Sequence, residues 1–413
     1  MLSPGYDACV RCGLCLPSCP TYLETFAETS GPRGRISLIK AVDEGALDLL
    51  SPGFVEQMSQ CLDCRACQAV CPSAVPYGPM LEEMRARIEH ASAPSRAAGA
   101  RWKRALLLRW LFAKPSRLRL AASLLRFAQR SGLTALAGLT GLRDAARLAP
   151  QIPDRFFIAA DQRYAVSHAA GTAMLHTGCV MHVAFARVHE ATIRMLNRAR
   201  LDVVVPSAQG CCGAIAVHAG EDGFARDLAR ANIEAFERSG ADVYVVNAAG
   251  CGSALKDYAI LLAGDDAWRK RAAAFAARVR DVTEVLDAME LQPAHGRLDA
   301  RVTYQEPCHL VHAQRVSAAP RRLLAKIPGL ELVEMEESAV CCGSAGIYNL
   351  TEPAMARRLQ ARKTGNIEAT GAAIVATANP GCALQVAAGL REAGVRAEVK
   401  HIVELLDDAY AAP

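Results

Sequence analysis

Two stretches near the start of the chain, CVRCGLCLPSCP (9–20) and CLDCRACQAVCP (61–72), share the spacing C-x2-C-x2-C-x3-C-P. Three thiolates two residues apart wrap one corner of a cube in a tight turn. The fourth cysteine opens the next element and points elsewhere. This is the spacing of paired [4Fe–4S] clusters, in which the fourth cysteine of each run serves the other cluster. The expected ligand sets are therefore Cys9, Cys12, Cys15 and Cys71 for one cluster, and Cys61, Cys64, Cys67 and Cys19 for the other. Pro20 and Pro72 close each turn by fixing φ and removing an N–H. Zinc, the alternative for C-x2-C pairs, takes four ligands and has no use for a third evenly spaced cysteine and a trailing Cys-Pro, twice. Between the motifs, GPRGRISLIK (31–40) offers Arg33 or Arg35 as a cation beside an anionic cluster, or simply a solvated helix start after a Gly-Pro turn.

The 413 residues suffice for two or three domains, and 52% hydrophobic residues can build a sizeable core. A net charge of +5 does not argue for nucleic acid. Sixteen cysteines would suit a disulfide scaffold only in an oxidising compartment. Residues 1–8 contain no basic stretch followed by an apolar core, and ALLLRWLFA from Ala105 is broken by Arg109 and falls short of the ~20 residues a spanning helix needs. The expectation is a cytoplasmic chain whose thiols bind metal or do redox chemistry.

From His90 to Arg143 there are eleven Lys or Arg and no Asp or Glu, so the positive charge is concentrated there. Leu118, Ala121, Ala122 and Leu125 form an apolar stripe at helical spacing, flanked by Arg117, Arg119, Arg126 and Arg130, with Trp102, Trp110 and Phe112 upstream. Such a basic amphipathic helix can lie on an anionic membrane face, dock on a protein partner, or join two domains with its polar side solvated.

The remaining eight cysteines form two matched sets. Cys179, Cys211, Cys212 and Cys251 are separated by 32, 1 and 39 positions; Cys308, Cys341, Cys342 and Cys382 by 33, 1 and 40. This is an internal repeat. It extends to VRDVTEVLD (279–287) and VKHIVELLD (399–407), with an insertion in the first copy around GDDAWRKRAAAF (264–275). Each copy alternates apolar β runs (TAMLHT, LDVVVP and ADVYVVNA; then RVTYQ, LELVEM and AAIVATA) with helical stretches, and each cysteine group follows a β run. In an open parallel sheet that end of the strands forms the ligand crevice, so four thiols per copy should converge, helped by helix N-termini. Buried packing alone gives no reason for four matched loop positions in both copies. His182, His309 and His312 follow Cys179 and Cys308 closely, either to deliver protons or to cap and fill.

The expected architecture is α/β overall: a small α+β two-cluster ferredoxin-type module over 1–82, a basic helical connector over 83–170, and a duplicated α/β cysteine-rich domain over 171–290 and 300–413. One cysteine, a Cys-Cys-Gly and a distal cysteine, twice over, resemble the cysteine-rich CCG domain of heterodisulfide reductase subunits. With the amino-terminal module, and with GPRGRISLIK, GCCGA, AAGCG, CCGSAG and TANPGC, the chain resembles the iron–sulfur subunits of bacterial glycolate oxidase. The resemblance implies a subunit in a heteromeric complex that does not touch substrate carbon. FAD-bearing partner subunits would oxidise glycolate to glyoxylate, and this chain would carry electrons towards a quinone-type acceptor, with peripheral contact to the cytoplasmic face of the inner membrane. No strand–GxGxxG–helix fingerprint occurs, in keeping with flavin sites that lie on partners. The pattern departs in one respect: the position three before the distal cysteine, a cysteine in heterodisulfide reductase, is Ala248 in one copy and Asn379 in the other. Four thiols per copy leave two outcomes open, a further iron–sulfur cluster or a dithiol–disulfide pair. Related readings are the iron–sulfur subunit of an anaerobic glycerol-3-phosphate or D-lactate dehydrogenase, and a self-contained disulfide reductase.

Overall fold

The computed structural model describes residues 5–95, 99, 102, 106–112, 114–134, 143–289 and 291–411. Its first ninety or so residues depart from expectation in one respect. No strand occurs among the described residues of 5–95, so the module is helical rather than α+β. The cysteine loops are too tightly turned to pair as strands, and proline starts the helices between them: Pro20–Thr25, Pro32–Asp43 and Pro52–Ser59 each carry it in their first turn. Ile39, Phe54, Met58 and Leu81 pack with Cys61 and Cys67 into one small buried core, closed by the helix Tyr77–Ser92.

The cysteine-rich half is two parallel sheets. Strands β1 (Gln162–Tyr164), β2 (Gly171–Leu175), β3 (Leu201–Val205), β4 (Val243–Val246) and β5 (Val279–Asp281) form the first, in the order β1-β3-β2-β4-β5. Strands β6 (Ala300–Tyr304), β7 (Leu330–Val333), β8 (Ile374–Thr377) and β9 (Glu398–His401) form the second, in the order β7-β6-β8-β9. Apart from the antiparallel edge strand β1, the two orders are the same, and every pairing is parallel. The echoed segments are strand-to-helix turns in both copies, β5 into Val282–Ala288 and β9 into Ile402–Ala411. The insertion in the first copy contributes the helix Arg269–Ala276.

The copies face each other across an approximate two-fold. Helix Ala186–Arg198 of the first packs on Ile402–Ala411 of the second, and Val282–Ala288 of the first on Ala318–Ala325 of the second. Matching ion pairs tie these contacts: Arg194 to Asp407 at 2.6 Å, and Arg322 to Asp287. One continuous apolar core runs through both, from Leu175 and Tyr244 to Tyr304, Leu323 and Leu406.

The amino-terminal module straddles this pair. Arg65 reaches Asp257 of the first copy at 2.7 Å, and Tyr348 of the second donates to the Gln60 carbonyl at 2.9 Å. At Gly220 (φ +76) the backbones come so close that a Cβ would lie 2.5 Å from the Arg85 carbonyl oxygen. The connector helix Pro115–Arg130 lies on the cysteine-rich half, with Leu118 and Ala122 buried against Cys179, Val183 and Cys211. Among the described residues, no helix is long and apolar enough to cross a membrane.

Candidate functional site

The two ferredoxin-type loops have the same backbone. Arg11 (φ 56) and Gly13 (φ 81) in the first, and Asp63 (φ 49) and Arg65 (φ 60) in the second, are left-handed at matched positions between the cysteines. Alternating left- and right-handed residues turn successive N–H groups into one concavity, which suits an anion such as a thiolate-ligated cluster. Three non-glycine residues hold a conformation that costs of order 1 kcal/mol each or more, which persists only where the surroundings enforce it. Cys9, Cys12, Cys15 and Cys71 line one cup, with Cys67 at its edge. Cys19, Cys61, Cys64 and Cys67 line the other. All sixteen cysteines are free thiols, so each cup presents sulfur donors of the number and kind a [4Fe–4S] cluster takes.

The cups differ in exposure. Cys12 is exposed and Cys9, Cys15 and Cys71 half-buried, with Val10 70% and Leu14 59% exposed beside them. All four thiols of the second cup are buried, and burial pushes Cys64 and Cys67 up. Of the two arginines offered by 31–40, Arg33 is half-exposed and pairs with Glu28 at 2.6 Å. Arg35 is fully buried at the second cup, donating to the Gln57 carbonyl at 2.8 Å and to Thr21 at 3.1 Å. Burial opposes its charge, but Cys61 and Cys19 outweigh that and raise its pKa.

Behind the second cup, Asp63, Arg65, Glu82, Asp257 and His218 form a charged knot at the seam. Arg65 meets Glu82 and Asp257 at 2.7 Å each, and His218 Nδ1 lies 3.3 Å from Asp63. Burial, then the Asp63 carboxylate, push Glu82 up to about 8 despite Arg65.

In the cysteine-rich half, the sequence places thiols where the topology puts a crevice. Strands β2 and β4, and equally β6 and β8, flank the point where strand order reverses. Cys179 and Cys308 cap the turns after β2 and β6; Cys251 and Cys382 sit in the first turns of helices Ala249–Lys256 and Pro380–Ala393. The glycine of each CCG has φ +84 (Gly213) or +87 (Gly343), and a Cβ on Gly343 would lie 2.7 Å from the Ala356 carbonyl oxygen. That left-handed turn aims the Gly213 N–H at Cys211 Sγ, 3.5 Å away. Thiol contacts link Cys179, Cys211, Cys212 and Cys251 in one copy and Cys308, Cys341, Cys342 and Cys382 in the other. Hydrogen bonds from Cys179 and Cys308 draw Cys211 and Cys341 well below the usual thiol range. The bond from Cys212 draws Cys251 down to about 6.

All eight of these cysteines line a single cavity of ≈ 450 Å³. Its opposite wall is apolar and includes Leu118, Ala121, Ala122 and Leu125 of the connector helix, the stripe read in the sequence. The arginines flanking that stripe are partly engaged within the chain. Arg117 stacks 4.6 Å over Trp110, Arg126 donates to the Pro153 and Asp154 carbonyls, and Arg130 pairs with Asp154. The second cup meets this cavity: Cys64 packs with Cys308 and Cys341 in one buried cluster. A separate cavity of ≈ 320 Å³, whose lining includes Glu82, Asp222 and Asp257, shares Cys212, His218 and His309 with it.

Of the histidines singled out in the sequence, His182 lies between the Gly178 and Pro115 carbonyls and His312 against the Ala339 carbonyl, which is a packing role. His309 alone of the three faces the cavity, 5.8 Å from the His218 ring. His309 Nδ1 lies 3.5 Å from Cys308 Sγ, and two further histidines that the sequence reading passed over are near the thiols: His218, in the lining of the same cavity, and His176, with a ring nitrogen within 4.8 Å of the Cys212 and Cys251 sulfurs. The signal for His176 was its place three residues before Cys179, where the second copy has Gln305.

Residues 5–75 match the family described as "4Fe-4S dicluster domain", residues 173–256 and 302–387 "Cysteine-rich domain", and residues 99–151 "Glycolate oxidase iron-sulfur subunit, linker region". The chain is 39% identical to the "Probable glycolate oxidase iron-sulfur subunit" of Bacillus subtilis (strain 168), over 97% of this chain and 93% of that protein. It is 33% identical to the "Glycolate oxidase iron-sulfur subunit" of Escherichia coli (strain K12) over the same shares. "Lactate utilization protein A" of Exiguobacterium sp. is 29% identical over 57% of this chain and 96% of its own length. With ferredoxin-type cysteine cups, a paired cysteine-rich fold and similarity along nearly its whole length, this chain belongs to the family of glycolate oxidase iron–sulfur subunits.

Proposed function

We propose that the chain is the electron-transfer subunit of a glycolate dehydrogenase complex. Cys9, Cys12, Cys15 and Cys71 hold an outer [4Fe–4S] cluster, and Cys61, Cys64, Cys67 and Cys19 an inner one. FAD-bearing partner subunits oxidise glycolate to glyoxylate; the two electrons of the reduced flavin leave singly through the clusters, whose potentials suit such a relay. In the cysteine-rich half they reach a quinone-type acceptor, which takes up two electrons and two protons to become a quinol. The observation that carries this reading is the order of the sulfur sites, from an exposed cup, to a buried cup, to thiols that pack against it and line an apolar cavity. The second cavity that His218 and His309 border, with Glu82, Asp222 and Asp257 in its lining, gives protons a separate approach. Leu120 (59% exposed), Leu124 (63%) and Phe127 (65%), on the outer side of the connector helix, supply an apolar face for peripheral membrane contact.

Anaerobic mixing of the purified chain with its flavoprotein partners tests the reading. Glycolate is expected to bleach the cluster absorbance only when the flavoproteins are present. Reduction by glycolate without them, or an iron-free chain in a complex that still reduces quinone, overturns it. Similarity to lactate utilization proteins favours lactate as the competing substrate, which the same assay decides. Eight thiols around one cavity also suit a self-contained disulfide reductase. That reading requires the isolated chain to reduce a disulfide from a reduced dye.

A further inference from the structure

The two cysteine-rich copies are alike in fold and in thiols, yet not in what surrounds the thiols. In the first copy His176 is 2% exposed, at the end of β2. Its Nδ1 lies 2.8 Å from the Tyr244 hydroxyl, and its Nε2 is buried with no nitrogen or oxygen partner, the Cys251 thiol being the further group its ring meets. A ring nitrogen of His176 and the sulfurs of Cys212 and Cys251 all lie within 4.8 Å of one another. The left-handed turn at Gly178 (φ +62) borders this space: a Cβ there would be in ordinary contact with both groups, 3.5 Å from His176 Nε2 and 3.8 Å from Cys251 Sγ. In the second copy the matching position is Gln305, whose side chain is used up on Thr377 (2.7 Å) and the Glu306 carbonyl (2.8 Å). There Asn379 donates to Cys382 Sγ at 3.3 Å, and the buried Lys363 donates its ammonium to the Glu337 and Ser338 carbonyls.

We infer that the first copy alone holds a further iron–sulfur cluster, with His176 Nε2 as a ligand beside its cysteines. An imidazole whose other nitrogen is held by a second-shell partner is the usual form of a histidine ligand, and Tyr244 supplies that partner. Imidazole replaces thiolate at iron in known cluster types. The second copy has no ring nitrogen at this place: Gln305 is engaged by Thr377 and the Glu306 carbonyl, and Cys382 takes a hydrogen bond from Asn379. The inference rests on the reading that the cysteine-rich half carries metal.

The test uses the full chain, purified anaerobically, with and without ¹⁵N-histidine labelling. Iron and sulfide analysis is expected to give three clusters' worth per chain. Pulsed EPR of the reduced protein should show a nitrogen coupling that changes with the label and is lost in His176→Ala, while the two amino-terminal cluster signals persist. Gln305→Ala should leave that coupling intact. Labelling the native chain keeps the test independent of how the variants fold. Three clusters' worth of iron with no histidine-sensitive coupling overturns the ligand assignment and leaves the metal reading standing. Zinc in place of the third cluster overturns the inference and leaves the metal reading standing, whereas iron for two clusters with no other metal overturns both; either result leaves the amino-terminal relay untouched.

Discussion

Glu82 shows how burial and charge settle a single side chain at the seam between modules. It faces Asp63, Arg65 and Asp257, with His218 behind, and its carboxyl ionises only at about 8. In the unfolded chain it ionises near its ordinary value. Between those two values folding takes up a proton, so this group's contribution is fully present at low pH and is lost as pH rises to about 8. The slope is at most about 1.4 kcal/mol per pH unit. Glu82→Gln, a neutral isostere, should match the native chain in denaturant stability at about pH 4, exceed it increasingly as the pH rises through about 6, and exceed it most at about pH 9. Equal slopes for the two proteins would show that Glu82 is ionised throughout. Residues such as this one escape sequence reading. Asp63 and Arg65 are visible inside a cysteine motif, but nothing local says that Glu82 and Asp257 will close on them from other elements. His176 was missed for the same reason: its importance lies in which sulfurs it meets, not in its neighbours along the chain.

At the scale of elements, periodicity served well where an element is buried on a regular pattern. The six β runs read from the sequence are strands, and the stretch Asp222–Ser239 is a helix. The edge strand β1 and the absence of strands from the first module were not legible, because a three-residue edge carries no pattern and the cysteine loops follow metal-ligand spacing instead. The connector stripe was legible as a stripe, but not as the wall of a cavity, since an apolar helix face does not name its partner. Its position there gives a prediction. Ala122→Trp should fill the space opposite the thiols, cutting quinone reduction by the assembled complex while glycolate-driven dye reduction at the clusters persists. Equal loss of both activities would mean that the helix matters for folding rather than for the acceptor.

The sulfur sites adjoin one another in sequence, with one end at the surface. Val10 and Leu14 project from the exposed loop around Cys12, an apolar tip suited to a protein surface. Leu14→Asp should slow flavin-to-cluster transfer in the complex about tenfold, the effect of losing about 1.4 kcal/mol of docking. Quinone reduction by the chemically pre-reduced chain should be unchanged. An unaltered transfer rate would move the flavoprotein contact elsewhere. The other end of the series is a cavity of ≈ 450 Å³, roofed by the connector. Under the proposed relay, the terminals therefore differ in the size of visitor they admit. A protein can hand charge in at the tip, yet only a small molecule can carry it off from the interior, so the traffic is given its sense by shape before any difference in potential is considered.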